Sequence, residues 1–146
     1  MSRRNKIIIG FILVLVIAIP VGLYIAGNIY YSPERNYEEN WNIELPDNMK
    51  ERFDTKDVES FHNDGIRYTI YDLKEQSEFF DDFKTEKSIS FENDFRENLS
   101  VLNLSNAEQP NWNNDYLWKE INQYSNHLYM VLDTTTNTLF ITQKLQ

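Results

Sequence analysis

The chain has 146 residues, no cysteine, and 23 Asp and Glu against 14 Lys and Arg, for a net charge of −9. That length is ordinary for one domain, and the lack of cysteine excludes disulfide staples and a lipid-modified cysteine, leaving packing to hold the fold. The acidic balance disfavours partners bound through Lys and Arg clusters, so nucleic acid is not an expected partner.

Residues 1–6, MSRRNK, carry Arg3, Arg4 and Lys6 and read as a cytoplasmic tail. The uncharged run from Ile7 to Gly27 is 21 residues long, close to the roughly 20 that a membrane-spanning helix needs. The expectation is a transmembrane helix over residues 7–30. A cleaved secretion signal fits less well, because cleavage after Ala26 or Gly27 would leave Tyr24 or Ile25 where a small residue is required. Tyr24, Tyr30 and Tyr31 at the outer end suit the headgroup level, and the positive tail orients the rest outward. The chain then reads as a single-pass, signal-anchored protein of the cell membrane, its helix partnered by lipid and its carboxy-terminal part extracytoplasmic. Ala18, Gly22 and Ala26 form a small-residue stripe of the kind that pairs membrane helices. Pro20 interrupts the same stretch, so a homodimer is an alternative and not the favoured one.

Residues 31–40 read as a polar tether and residues 41–146 as an α+β domain. Trp41 to Leu45 alternates apolar and polar residues and predicts a first strand closed by Pro46, followed by a helical turn at Met49–Phe53. Asn63-Asp64-Gly65, followed by alternating Ile66, Tyr68 and Ile70, predicts a hairpin over 58–73. Phe79 and Phe83, then Phe91, Phe95, Leu99 and Leu102, recur at helical spacing, with Ser90 as N-cap. Tyr116, Leu117, Trp118 and Ile121 suggest another helix. The run LYMVLDTTTNTLFITQKL predicts a second hairpin. Strands at both ends with helices between them define the α+β class.

The single amino-terminal helix, W-N-I-E-L-P, S-F-H-N-D-G-I-R-Y and a terminal strand pair around D-T-T-T-N together resemble small uncharacterised single-pass proteins of Bacillus-like Gram-positive bacteria. Those would carry Gly where Asn63 stands. The resemblance implies location and architecture and transfers no catalytic residue.

The chemistry-bearing residues are sparse. His62 and His127 are the two histidines; His62 has only Glu59 and Asp64 nearby, short of the aligned ligands that zinc requires. Placing Gly65 at the glycine of a calcium loop puts Ser60 and Tyr71 where carboxylates belong. The chain contains no G-x-S-x-G and no Walker or dinucleotide glycine pattern. No catalytic residue, metal or cofactor is therefore expected. Trp112, Asp115, Tyr116 and Trp118 mix aromatic rings with polar groups and form the binding candidate, against the simpler reading that the rings anchor a core. The expected function is an accessory protein, inhibitor or immunity-type factor that binds another protein outside the cytoplasm. The alternative is an envelope enzyme that processes glycans or peptides with carboxylates in an aromatic cleft.

Overall fold

The computed structural model describes residues 12, 14–24, 27, 32–57 and 64–146. They divide into two units, Met1–Asn42 and Ile43–Gln146.

The first unit corrects the amino-terminal expectation. Residues 14–24 are helical, but among the described residues no helix is long and apolar enough to cross a membrane. Among the described residues the transmembrane helix expected over 7–30 is not found, and with it fall the single-pass membrane placement, the extracytoplasmic localisation, the signal-anchor role and the lipid partner. Arg3, Arg4, Lys6, Ala26, Tyr30 and Tyr31 lie outside the described residues.

Most of the stretch read as a tether is a helix, α1, Pro33–Trp41. Ser32 caps it, its hydroxyl accepting from the Arg35 amide at 3.3 Å, and Pro33 begins the first turn, where a missing N–H costs nothing. Tyr37 and Trp41 are buried and four residues apart on one face. Asn42 ends the helix at φ 50° in the left-handed region, which Asn tolerates. The strand expected over Trp41–Leu45 is absent for this reason: Trp41 belongs to the last turn of α1.

In the second unit, five described strands form one antiparallel sheet: β1 Met49–Lys56, β2 Gly65–Leu73, β3 Tyr116–Gln123, β4 Asn126–Asp133 and β5 Thr138–Leu145, in the order β1-β2-β5-β4-β3. Two expected helices are strands. Met49–Phe53 pairs with β2 as part of β1, and Tyr116–Ile121 pairs with β4 as part of β3. The α+β class holds, as does the terminal hairpin of β4 and β5. β2 follows the expected alternation; its partner is β1, and residues 58–63 of the expected hairpin, His62 and Asn63 included, lie outside the described residues.

A helix, α2, Ile89–Ser100, lies in the long connection from β2 to β3. Its N-cap is Ser88, not Ser90. Phe91, Phe95 and Leu99 lie on one face and join Tyr68, Ile70, Tyr116, Trp118, Tyr129, Val131 and Phe140 in a single cluster. Each such side chain removed from water contributes about 2 kcal/mol. Phe79 lies within a 3₁₀ turn, Glu78–Phe80, and Phe83 just beyond it, so no longer helix joins them. The alternate residues of β4 and β5, Leu128, Met130, Leu132, Leu139 and Ile141, point the other way and are also fully buried. Both sheet faces are covered, which explains the nearly continuous apolar run of β4.

Candidate functional site

The two outer strands of the sheet differ. β1 reads Met-Lys-Glu-Arg-Phe-Asp-Thr-Lys, is largely exposed, and has a register break between Glu51 and Phe53. Charge and a bulge are the usual protections of a sheet edge against unwanted pairing. Its register is also pinned, since Asp54 accepts from Arg67 Nε at 2.9 Å, Arg67 Nη2 at 2.8 Å and Thr69 Oγ1 at 2.7 Å.

β3 is protected along half its length. The Lys84 amide donates to Trp118 O at 2.8 Å and the Trp118 amide donates to Lys84 O at 3.0 Å, an isolated antiparallel bridge. Trp118 Nε1 donates to Glu86 O at 2.8 Å, and Lys119 pairs with Asp82, fastening the same segment. Upstream of Lys84 the chain turns away, the Phe83 amide donating back to Phe80 O at 3.1 Å. Backbone groups of alternate strand residues point to the same side. The N–H and C=O of Glu120 and Asn122 therefore face outward beside those of Trp118, and among the described residues nothing pairs with them. Their side chains are linked to each other: Asn122 Nδ2 donates to Glu120 Oε1 at 2.9 Å, and Asn122 Oδ1 meets His127 Nδ1. His127 stacks on Tyr129 with ring centroids 6.0 Å apart. β3 ends at Gln123, and the turn to β4 begins with Tyr124, which is fully exposed and has φ 57°.

The four candidate residues come together only in part. Tyr116 and Trp118 are buried in the core, Trp112 packs beside them, and Asp115 is exposed. Trp118 has Phe91 at 4.3 Å from its ring and Lys84 Nζ over the ring at 4.3 Å. Trp112 meets Phe95 and Tyr116 edge-on at 5.5 and 5.4 Å, with the Arg96 guanidinium 5.0 Å from its centroid. Protein groups thus already occupy these rings, and Asp115 uses its carbonyl to accept from the Thr134 amide at 3.1 Å. The cations over the rings were not anticipated, although the run Lys-Thr-Glu-Lys just before α2 is a visible signal.

Beside the Lys84 bridge lies an open groove of about 600 Å³, lined by residues 83–88 and Trp118. Its lysines are committed: Lys84 to the Trp118 ring, Lys87 Nζ to Trp112 O at 3.2 Å and Asn114 O at 2.8 Å.

Carboxylates are dispersed. Among the described residues Asp133 is the buried one, and its oxygens accept from the Thr135 amide at 2.9 Å, the Thr136 amide at 3.1 Å and Asn114 Nδ2 at 2.7 Å, shaping the β4–β5 turn. No group of three or more Asp, Glu or His among the described residues could hold a metal. Two tyrosines are perturbed. Burial pushes the Tyr116 phenol up to about 12, helped by the bond it donates to Glu92 at 2.7 Å. Burial also pushes Tyr129 up to about 12, with the charges of Glu120, Asp94 and Glu97 adding to it.

At the other end of the chain Tyr24 is exposed, Ala18 and Gly22 are helical, and a Cβ on Gly22 would meet nothing within 4 Å. Comparison with protein-family models, curated proteins and solved structures found no match.

Proposed function

We propose that the chain is a non-enzymatic protein-binding module, acting as an accessory subunit, an inhibitor or an immunity-type factor. The observation that carries this reading is the contrast between the two sheet edges. β1 has the charges and bulge that block pairing, whereas on β3 the backbone of Glu120 and Asn122 has no partner among the described residues. An exposed strand edge is a template for another chain. The alternative, an enzyme using carboxylates on a glycan or peptide, draws less support. The buried carboxylate of Asp133 is spent on a turn, and the rings of Trp112 and Trp118 are packed against protein groups.

The test uses the full chain in two assays. Crosslinking in intact cells with mass-spectrometric identification should recover a specific protein. Incubation with wall glycans and peptides should give no turnover. Turnover abolished by a single carboxylate-to-amide change, with the fold intact, would overturn the reading in favour of the enzyme.

A further inference from the structure

Resting on that protein-binding reading, we infer that the outer edge of β3 from Glu120 to Gln123 receives an extended, basic segment of a partner protein as an added antiparallel strand. The molecule already uses this edge in that way. Lys84 bonds Trp118 with antiparallel geometry through both backbone groups, and the chain then leaves the edge at Phe83. The next outward positions, Glu120 and Asn122, offer two donors and two acceptors in the same line. A segment of about four residues satisfies them at roughly 3.4 Å per residue.

The flanking groups select what that segment carries. Glu120 and Asn122 share a sheet face with Tyr129, Glu120 standing directly opposite it, and the phenol of Tyr129, raised chiefly by burial, is raised further by the negative charges of Glu120, Asp94 and Glu97. The cations nearby are already engaged, Lys119 by Asp82 and Lys84 by the Trp118 ring. Over residues 43–146 ten Lys and Arg face twenty Asp and Glu, a net −10. Alternate side chains of an added strand fall on this acidic face, and those positions suit Lys or Arg. The other positions lie beside the half-buried Ile121 and suit apolar residues. A second copy of the chain fits poorly, because it would set Glu120 and its acidic neighbours against their own kind.

Tyr124 adds exposed aromatic surface beside this edge. A bulky residue at φ 57° is held in a sparsely populated conformation, and its ring is fully exposed. That conformation belongs to the two-residue turn Tyr124-Ser125 between β3 and β4, where a tight hairpin calls for positive φ. The ring stands at the end of β3, where the added strand would pass.

The experiment titrates the isotope-labelled full chain with two synthetic peptides, one alternating Lys and Val, the other Glu and Val. The basic peptide should bind, slow amide exchange at Glu120 and Asn122, and weaken as salt rises. Asn122→Pro deletes an outward N–H without touching the β4 ladder, as edge strands permit; it should weaken binding at least tenfold, while Asn122→Ala should not. Glu120→Lys leaves the backbone intact and should reverse the preference between the peptides. Equal binding of the acidic peptide, undiminished binding to Asn122→Pro, amide changes confined to other residues, or absence of binding would each overturn the edge assignment. So would self-association of the chain through these amides. None of these results bears on the crosslinking and turnover assays, which decide the protein-binding reading separately.

Discussion

Thr142 is fully buried on the same side of β5 as Phe140, between Tyr68 and Tyr129, and its Oγ1 has no hydrogen-bonding partner among the described residues. A buried hydroxyl without a partner keeps its desolvation cost. Thr142→Val retains the branched shape and should raise stability by about 1 kcal/mol in urea unfolding; a loss would show that the hydroxyl has a partner in solution. Tyr116 and Tyr129 make a second prediction. Both phenols are held near 12 in the fold against an ordinary 10.0, chiefly by burial, so the folded state favours the protonated form. Their contribution is complete below about pH 10 and is lost as pH rises from about 10 to 12. Urea midpoints should fall across that interval, and Tyr116→Phe with Tyr129→Phe should flatten the fall. A fall of the same steepness in the double variant would assign it to other groups.

At the scale of the element, β3 and α2 show what sequence patterning can and cannot reveal. α2 was legible because Phe91, Phe95 and Leu99 repeat at four-residue intervals, although its cap is Ser88, which accepts from the Phe91 amide at 3.3 Å. Ser88→Ala should cost about 1 kcal/mol in thermal or urea unfolding, and Ser90→Ala far less. β3 was not legible as a strand because Tyr116, Leu117, Trp118 and Ile121 look helical when taken as one apolar set. They split between two faces, Tyr116 and Trp118 in the core cluster with α2 and Leu117 and Ile121 opposite, and a sheet covered on both faces hides the usual alternation. α1 was missed for another reason: Ser32-Pro33-Glu34 is a helix-start signature, but the few apolar residues behind it, Tyr37 and Trp41, are too sparse to announce a period. The β3–β4 turn gives a prediction of its own. Tyr124→Gly removes the Cβ that makes φ 57° costly and should stabilise the fold by about 1 kcal/mol, while removing the exposed ring. Unchanged or lower stability would mean that Tyr124 makes contacts that offset its conformation.

For the whole molecule, the candidate site depends on topology more than on motif. The aromatic residues that attracted attention in the sequence lie in the core, while the open backbone arises because β3 is placed at the sheet's outer edge and the segment around Lys84 covers only part of it. Backbone exposure leaves no compositional trace, so no scan of residue types could have found it. The same topology makes β5 the strand on which the sheet depends, since it joins β2 on one side and β4 on the other. A chain ending before Thr138 should therefore lack the near-ultraviolet circular dichroism of packed aromatics, and a synthetic peptide of residues 138–146 should restore it. Native spectra from the shortened chain alone would show that the two halves fold independently.

The central place of β5 also sets an order in time. Translation produces β1 with β2, then β3 with β4, before the strand that unites them exists. Isolated hairpins are marginal in water, so nascent chains carry two unfinished pairs whose inner edges, on β2 and β4, are apolar and unpaired. A ribosome stalled late in the message would hold the chain in its most aggregation-prone form, and the sheet closes only when the residues of β5 emerge.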